Sequence, residues 1–219
     1  AELRRDLEGL AGSRAVSDVH EQLLELLGET DTAFRAIATR NAERVECRAG
    51  CSDCCRARLS ITHVEAALLR RGLATLPDAT RAALTASAED PAREMCPALN
   101  DRAEGAQARG PAPPERDASV NDDRGDCQVY AFRPLICRSH GVPLSYPGRV
   151  LLVQPERIDV CEKNFRDTPL KSLPRRDILD QVALMQRLAA IEAQHGSEQN
   201  LAEGERVPLA LVLRSAAQP

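Results

Sequence analysis

Aromatic residues are nearly missing from this chain: it has no tryptophan, and only Phe34, Phe132, Phe165, Tyr130 and Tyr146. With 43% of its residues hydrophobic, any core must be Leu, Ala, Val and Ile, which suits packed helices better than a sandwich or barrel. Lysine is scarce too, with Lys163 and Lys171 the only two among 29 basic residues. No run approaches the roughly 18 apolar residues of a membrane span. The charged opening stretch, residues 1–6, predicts no secretory signal. A net charge of −4 gives no general attraction for nucleic acid or an anionic membrane, so neither is expected as a partner. A chain of 219 residues suffices for one domain with appendages.

Cysteine is what the chain does have. There are eight: Cys47, Cys51, Cys54, Cys55, Cys96, Cys127, Cys137 and Cys161. An even number allows four disulfides, but the chain is long for a disulfide-stapled domain and lacks a secretion signal. In a reducing, cytoplasmic compartment, clustered cysteines point to metal instead.

The flanks read as helices. Residues 18–27 set Val19, Leu23, Leu24 and Leu27 on one stripe, with Gly28 as a stop; Thr30 or Asp31 then caps a second segment through Phe34, Ile37 and Val45. Thr62-His63-Val64-Glu65 has capping-box spacing and opens a helix that stops near Gly72. Pro77 opens another, broken near Pro91, and a short helix runs from Pro134 to Arg138. Residues 100–124 lose all pattern and read as a mobile insertion. Val150-Leu151-Leu152-Val153 is the clearest strand, with residues 127–130 as its candidate partner. An amphipathic helix is expected over 176–195, with Ile178, Leu179, Val182, Met185, Leu188 and Ile191 on its apolar face. Pro208 suits a helix start before Leu213. The boundaries that follow are 1–44 for N-terminal helices, 45–166 for a cysteine-cluster metal-binding domain carrying the insertion, and 167–219 for C-terminal helices packing on the core.

Cys47-x3-Cys51-x2-Cys54-Cys55 is the sharpest signal. Thiolates three positions apart can grip one tetrahedral ion on a tight turn, with Zn–S bonds of about 2.3 Å. Adjacent cysteines chelate one ion poorly because their short backbone link strains the geometry. The Cys54–Cys55 step therefore predicts two metal centres, or one polynuclear cluster, and eight thiolates suit two four-thiolate sites. Spacing alone does not divide the ligands.

Arg48, Arg56, Arg58, Arg133 and Arg138 lie close to cysteines in the sequence, where guanidinium groups can offset thiolate charge or serve as ordinary solvated arginines. His140 follows Cys137 by three residues and suits a hydrogen bond to a thiolate better than a ninth ligand. Arg133, Arg138 and His140 are thus expected around the ligands. Asp53 shapes its turn or ligates iron. Glu65 and His63 belong to a helix cap, and His20 and His195 read as surface positions. No residue is assigned a catalytic role.

Cys47-x3-Cys51-x2-Cys54-Cys55, Cys96-Pro97, Cys127-Gln-Val-Tyr-Ala-Phe-Arg133-Pro134-Leu-Ile-Cys137-Arg138 and Cys161 together resemble the YkgJ-type cysteine-cluster proteins. These are small bacterial proteins described as carrying a zinc- or iron-chelating CxxCxxCC domain. The resemblance spans about 45–165 and extends to Thr62-x-x-Glu65 and Cys137-Arg-Ser-His-Gly-Val-Pro143. It implies that the eight cysteines hold Zn2+ or iron, a [4Fe-4S] cluster included, without choosing between them. This chain departs from it in the three residues between Cys47 and Cys51 and in its long insertion. The cluster also resembles part of the flagellin lysine-N-methylase group. Against that reading, no Gly-rich strand-to-helix turn for S-adenosylmethionine is found.

The expected fold is mainly α: an irregular cysteine-rich metal-binding core flanked by helices, with at most a short β-hairpin. The expected function is metal binding through the eight thiolates, in a structural, metal-handling or redox role with a protein partner. The alternative is an iron-dependent or iron–sulfur enzyme that modifies protein.

Overall fold

Asp18 begins the first helix by accepting the backbone N–H of His20 at 3.0 Å. In this computed structural model, which describes residues 18–47, 51–100, 126–146, 157–200, 202 and 204–217, that helix (α1, Val19–Arg40) runs unbroken for 22 residues. The expected stop at Gly28 is not used. A glycine inside a helix costs about 1 kcal/mol, less than the burial gained by continuing the stripe Leu23, Leu26, Leu27, Thr30 and Ile37. Thr30, expected as a second cap, is instead fully buried and donates its hydroxyl to the Leu26 carbonyl at 2.7 Å.

The second helix (α2, His63–Leu73) carries the expected capping box. Its apolar and small residues are buried nearly all round, because two cores meet on it. One face, with Val64 and Leu68, joins α1 and the long helix α5 (Gln181–Gln199) through Leu23, Leu26, Leu184, Leu188 and Ile191. The other, with Ala66, Leu69 and Leu73, joins α3 (Asp78–Glu89) and α6 (Leu209–Arg214) through Leu84, Val212 and Leu213. Gly72 lies inside α2 rather than ending it. The Phe132 ring stands about where its side chain would be, 2.2 Å from an ideal Cβ.

The strands are short: β1 (Ser60–Ile61), β2 (Leu99–Asn100), β3 (Asp126–Cys127), β4 (Leu144–Tyr146), β5 (Arg157–Asp159), β6 (Leu179–Asp180) and β7 (Val207–Pro208). They form two antiparallel pairs, β1–β7 and β2–β3, and a mixed three-stranded sheet ordered β5-β4-β6. The fold is thus mainly α, but it holds more β structure than the single hairpin expected. Cys127 pairs with Leu99, not with the strand read at 150–153, which lies outside the described residues, as do 1–17 and the insertion from 101 on. The C-terminal helix starts at Gln181, not 176. Leu179 and Asp180 are drawn into a parallel pairing with Leu144 and Ser145, and Asp180 then caps the helix by accepting from Ala183 N. The buried stripe shifts accordingly to Gln181, Leu184, Leu188, Ile191 and His195, leaving Met185 45% exposed.

Two acidic side chains hold the α2 start. Glu65 accepts from Thr62 N and, with its other oxygen, from Leu135 N at 2.9 Å. It thereby caps both α2 and α4 (Leu135–Ser139), the short helix that carries Cys137. Glu192 of α5 accepts from His63 N and Val64 N.

Candidate metal centre

Past the end of α1, Asn41 donates its side-chain amide back to the Ile37 carbonyl at 3.0 Å. The chain then runs beside a tight turn at residues 161–165. Phe165 N donates to Arg44 O at 2.8 Å, and Glu46 N donates to the Asn164 side chain at 2.8 Å. Asn164 N closes the turn on Cys161 O at 2.8 Å. Asn164 is 2% exposed. Its Nδ2 donates to Cys47 Sγ at 3.1 Å and to Gly141 O at 2.5 Å. Phe165 leaves the turn with φ 53, a conformation uncommon for a bulky residue, held by its burial and its bond to Arg44. Gly141 meets the same thiol from the other side. At φ +123 an added Cβ would lie 2.9 Å from Cys47 Sγ and 3.2 Å from the Phe34 ring. Only glycine fits both the backbone angle and the space there.

A second set of cysteines is stitched together on the far side of the Cys54–Cys55 turn. Cys54 and Cys55 lie on a single 3₁₀ turn, Asp53–Arg56. Cys96 N donates to Cys55 O at 2.6 Å, Leu99 N donates to Cys96 O, and β2–β3 pairing then brings Cys127 opposite Leu99. Cys96 and Cys127 pack on the edge of the α2–α3–α6 core. Arg133 reaches from its stack 3.5 Å over the Tyr130 ring toward the Cys137 carbonyl.

None of the eight cysteines is in a disulfide, and their charges bear on one another across both sets. Cys47 feels Cys161, Cys51 and Cys54, while Cys55 feels Cys54, Cys96 and Cys127. Cys137 feels Cys127, Cys96 and Cys54. Burial pushes the thiols of Cys47 and Cys127 up to about 11 and that of Cys137 to about 12. Cys96 is raised for the same reason. In the Cys54–Cys55 pair, a shared hydrogen bond holds Cys54 below the ordinary thiol value and Cys55 above it. Arg133 favours the thiolates of Cys54, Cys127 and Cys137, and Arg93 that of Cys96.

Arg133 thus lies near enough to Cys54, Cys127 and Cys137 to bear on their thiolates. The Arg138 guanidinium instead pairs with Asp31 of α1 and donates to the carbonyls of Ala131 and Arg133, tying the Cys137 segment to the first helix. His140 is exposed at the end of α4, and among the described residues no hydrogen bond or ion pair joins it to a thiol. Asp53 pairs with Lys163, which fastens the Cys54 turn to the Cys161 turn. Arg56 and Arg58 are exposed, and Arg48 lies outside the described residues. His195, read as a surface position, is 7% exposed. Asn164 was not singled out by the sequence at all; its one signal was its place three residues after Cys161.

Among the described residues, no three His, Cys, Asp or Glu side chains already converge to metal-ligand spacing. The surroundings nonetheless suit a thiophilic cation. Cysteines from separate stretches feel one another's charge, an amide N–H is aimed at one sulfur, and a glycine leaves room for it. No protein-family model, curated protein or solved structure matches the chain.

Proposed function

We propose that this chain is a metal-binding protein that holds zinc or iron through Cys47, Cys51, Cys54, Cys55, Cys96, Cys127, Cys137 and Cys161, as the YkgJ-type cysteine pattern implies. The observation that carries this reading is that cysteines from distant segments, none of them in a disulfide, feel one another's charge, with burial holding the thiols of Cys47, Cys96, Cys127 and Cys137 protonated. A cation changes that balance, since it binds thiolates and releases their protons. Zinc would supply a fixed tetrahedral link between distant segments; iron would supply redox chemistry.

The role that follows is structural, metal-handling or redox, in the cytoplasm, where thiols stay reduced. The exposed apolar side chains of Leu24, Met185 and Leu211 are compatible with a protein partner. Among the described residues no helix is long and apolar enough to cross a membrane.

The test is metal analysis with an absorption spectrum on protein purified without oxygen or chelator. Zinc without colour supports the structural or metal-handling role. Iron with acid-labile sulfide and a brown spectrum supports the redox role, and iron without sulfide an open centre. Metal-free protein with eight reactive thiols overturns the proposal.

A further inference from the structure

Resting on the metal-binding reading above, we propose that the eight cysteines divide at the Cys54–Cys55 peptide bond into two four-thiolate centres: Cys47, Cys51, Cys54 and Cys161 in one, and Cys55, Cys96, Cys127 and Cys137 in the other. Three features of the fold argue for this division, with Cys51 joining the first set by its spacing of three residues from Cys54 and Cys137 completing the second as the remaining thiol.

The first is the backbone stitching. The 161–165 turn is hydrogen-bonded to residues 44–46, and Asn164 bridges that junction to Cys47 Sγ. Cys161 and Cys47 are therefore held together without help from the rest of the cluster. On the other side, Cys96 bonds to the Cys55 carbonyl, and the β2–β3 pair carries Cys127 beside Cys96.

The second is the core against which each set lies. Cys47 sits at Gly141 and Phe34, on the margin of the α1–α5 core. Cys96 and Cys127 pack on the α2–α3–α6 core.

The third is the 3₁₀ turn at Asp53–Arg56. With three residues per turn, the Cα–Cβ bonds of successive residues diverge by about 120°, so Cys54 and Cys55 leave the backbone in different directions even though their thiols hydrogen-bond to each other. The Asp53–Lys163 ion pair draws the Cys54 side of the turn toward Cys161, and the Cys96 bond draws the Cys55 side the other way. Because the Cys54 and Cys55 thiols still touch, the two centres adjoin.

The experiment is 113Cd NMR on the full chain loaded with cadmium, a tetrahedral thiolate-binding probe for either native metal. The division predicts two cadmium signals. Through-bond correlation to cysteine β-protons should link one to residues 47, 51, 54 and 161, and the other to 55, 96, 127 and 137. A single signal, a cadmium–cadmium coupling through a shared thiolate, or a different set of β-protons on either signal overturns the division while leaving the metal-binding reading intact. A chain that takes up no cadmium overturns both. Two paired variants give a second readout. Cys47→Ser/Cys161→Ser should lose the same one cadmium as Cys161→Ser alone, whereas Cys137→Ser/Cys161→Ser should lose both. Loss of both ions from the first pair, with far-UV circular dichroism unchanged, contradicts the division.

Discussion

Asn164 donates its side-chain amide to Cys47 across 117 residues of chain, at 3.1 Å. The same side chain accepts from Glu46 N and donates to Gly141 O, so three of its hydrogen-bonding positions are used in a site that water does not reach. It fixes the rotamer of the cysteine and favours its thiolate, which is how a group behind a metal ligand tunes affinity.

Replacing Asn164 by alanine should therefore weaken metal binding by about 10- to 100-fold, measured by competition with a chromophoric chelator. Asn164→Asp should do at least as much harm, since a carboxylate replaces the donor facing the sulfur. Equal affinity in wild type and both variants would remove Asn164 from the account.

Glu65 is buried and its carboxylate caps two helices at once, through Thr62 N and Leu135 N. Glu65→Ala leaves those donors without partners and should cost about 2–3 kcal/mol, read from urea unfolding. Glu205→Ala, at a side chain 62% exposed, should change stability by less than about 0.5 kcal/mol. Similar losses in the two variants would show that the Glu65 bonds do not stabilise the fold.

That cap was legible in the sequence because it is local: Thr62 and Glu65 stand three residues apart and answer to each other. The starts at Pro77 and Pro208 were legible for the same reason, since proline sets the backbone just before each helix. Gly28 misled because its cost is local while the reward for ignoring it, a stripe buried against α5, is tertiary. Ile178 and Leu179 fitted helical spacing equally well, and only the Leu144 strand beside them decided for extended backbone. The cysteines could be named from their spacing but not grouped. Their grouping depends on Asn164, Gly141 and the β2–β3 pairing, contacts between segments far apart in the chain.

Without metal, the fold should lose stability as pH rises. Burial lifts Cys47 and Cys127 from the ordinary 9.0 to about 11, and Cys137 to about 12. The folded chain thus holds these protons more tightly than the unfolded chain. That contribution is complete below about pH 9 and is lost progressively as pH climbs through the folded values. Urea midpoints of the metal-free protein should fall between about pH 8 and about pH 10.5, and replacing the three cysteines together by alanine should flatten the decline. A midpoint that rises over this interval would contradict the burial of these thiols.

Cys54 should be the most reactive cysteine of the reduced, metal-free protein. It is exposed, and the Cys55 thiol hydrogen-bonded to it favours its thiolate. Brief iodoacetamide treatment near neutral pH followed by peptide mapping should find Cys54 labelled first and Cys137 late. Labelling of Cys127 or Cys137 ahead of Cys54 would contradict this arrangement of the cluster.

The proposed ligation of metal by the eight cysteines has a direct readout. Native mass spectrometry of the intact chain, purified without oxygen or chelator, tests it most directly. Ligation by the thiols predicts a mass above that of the bare polypeptide by bound zinc or iron, less the protons the thiols release, and return to the bare mass after acid treatment. A chain at its bare mass throughout, with all eight thiols open to alkylation, would contradict it.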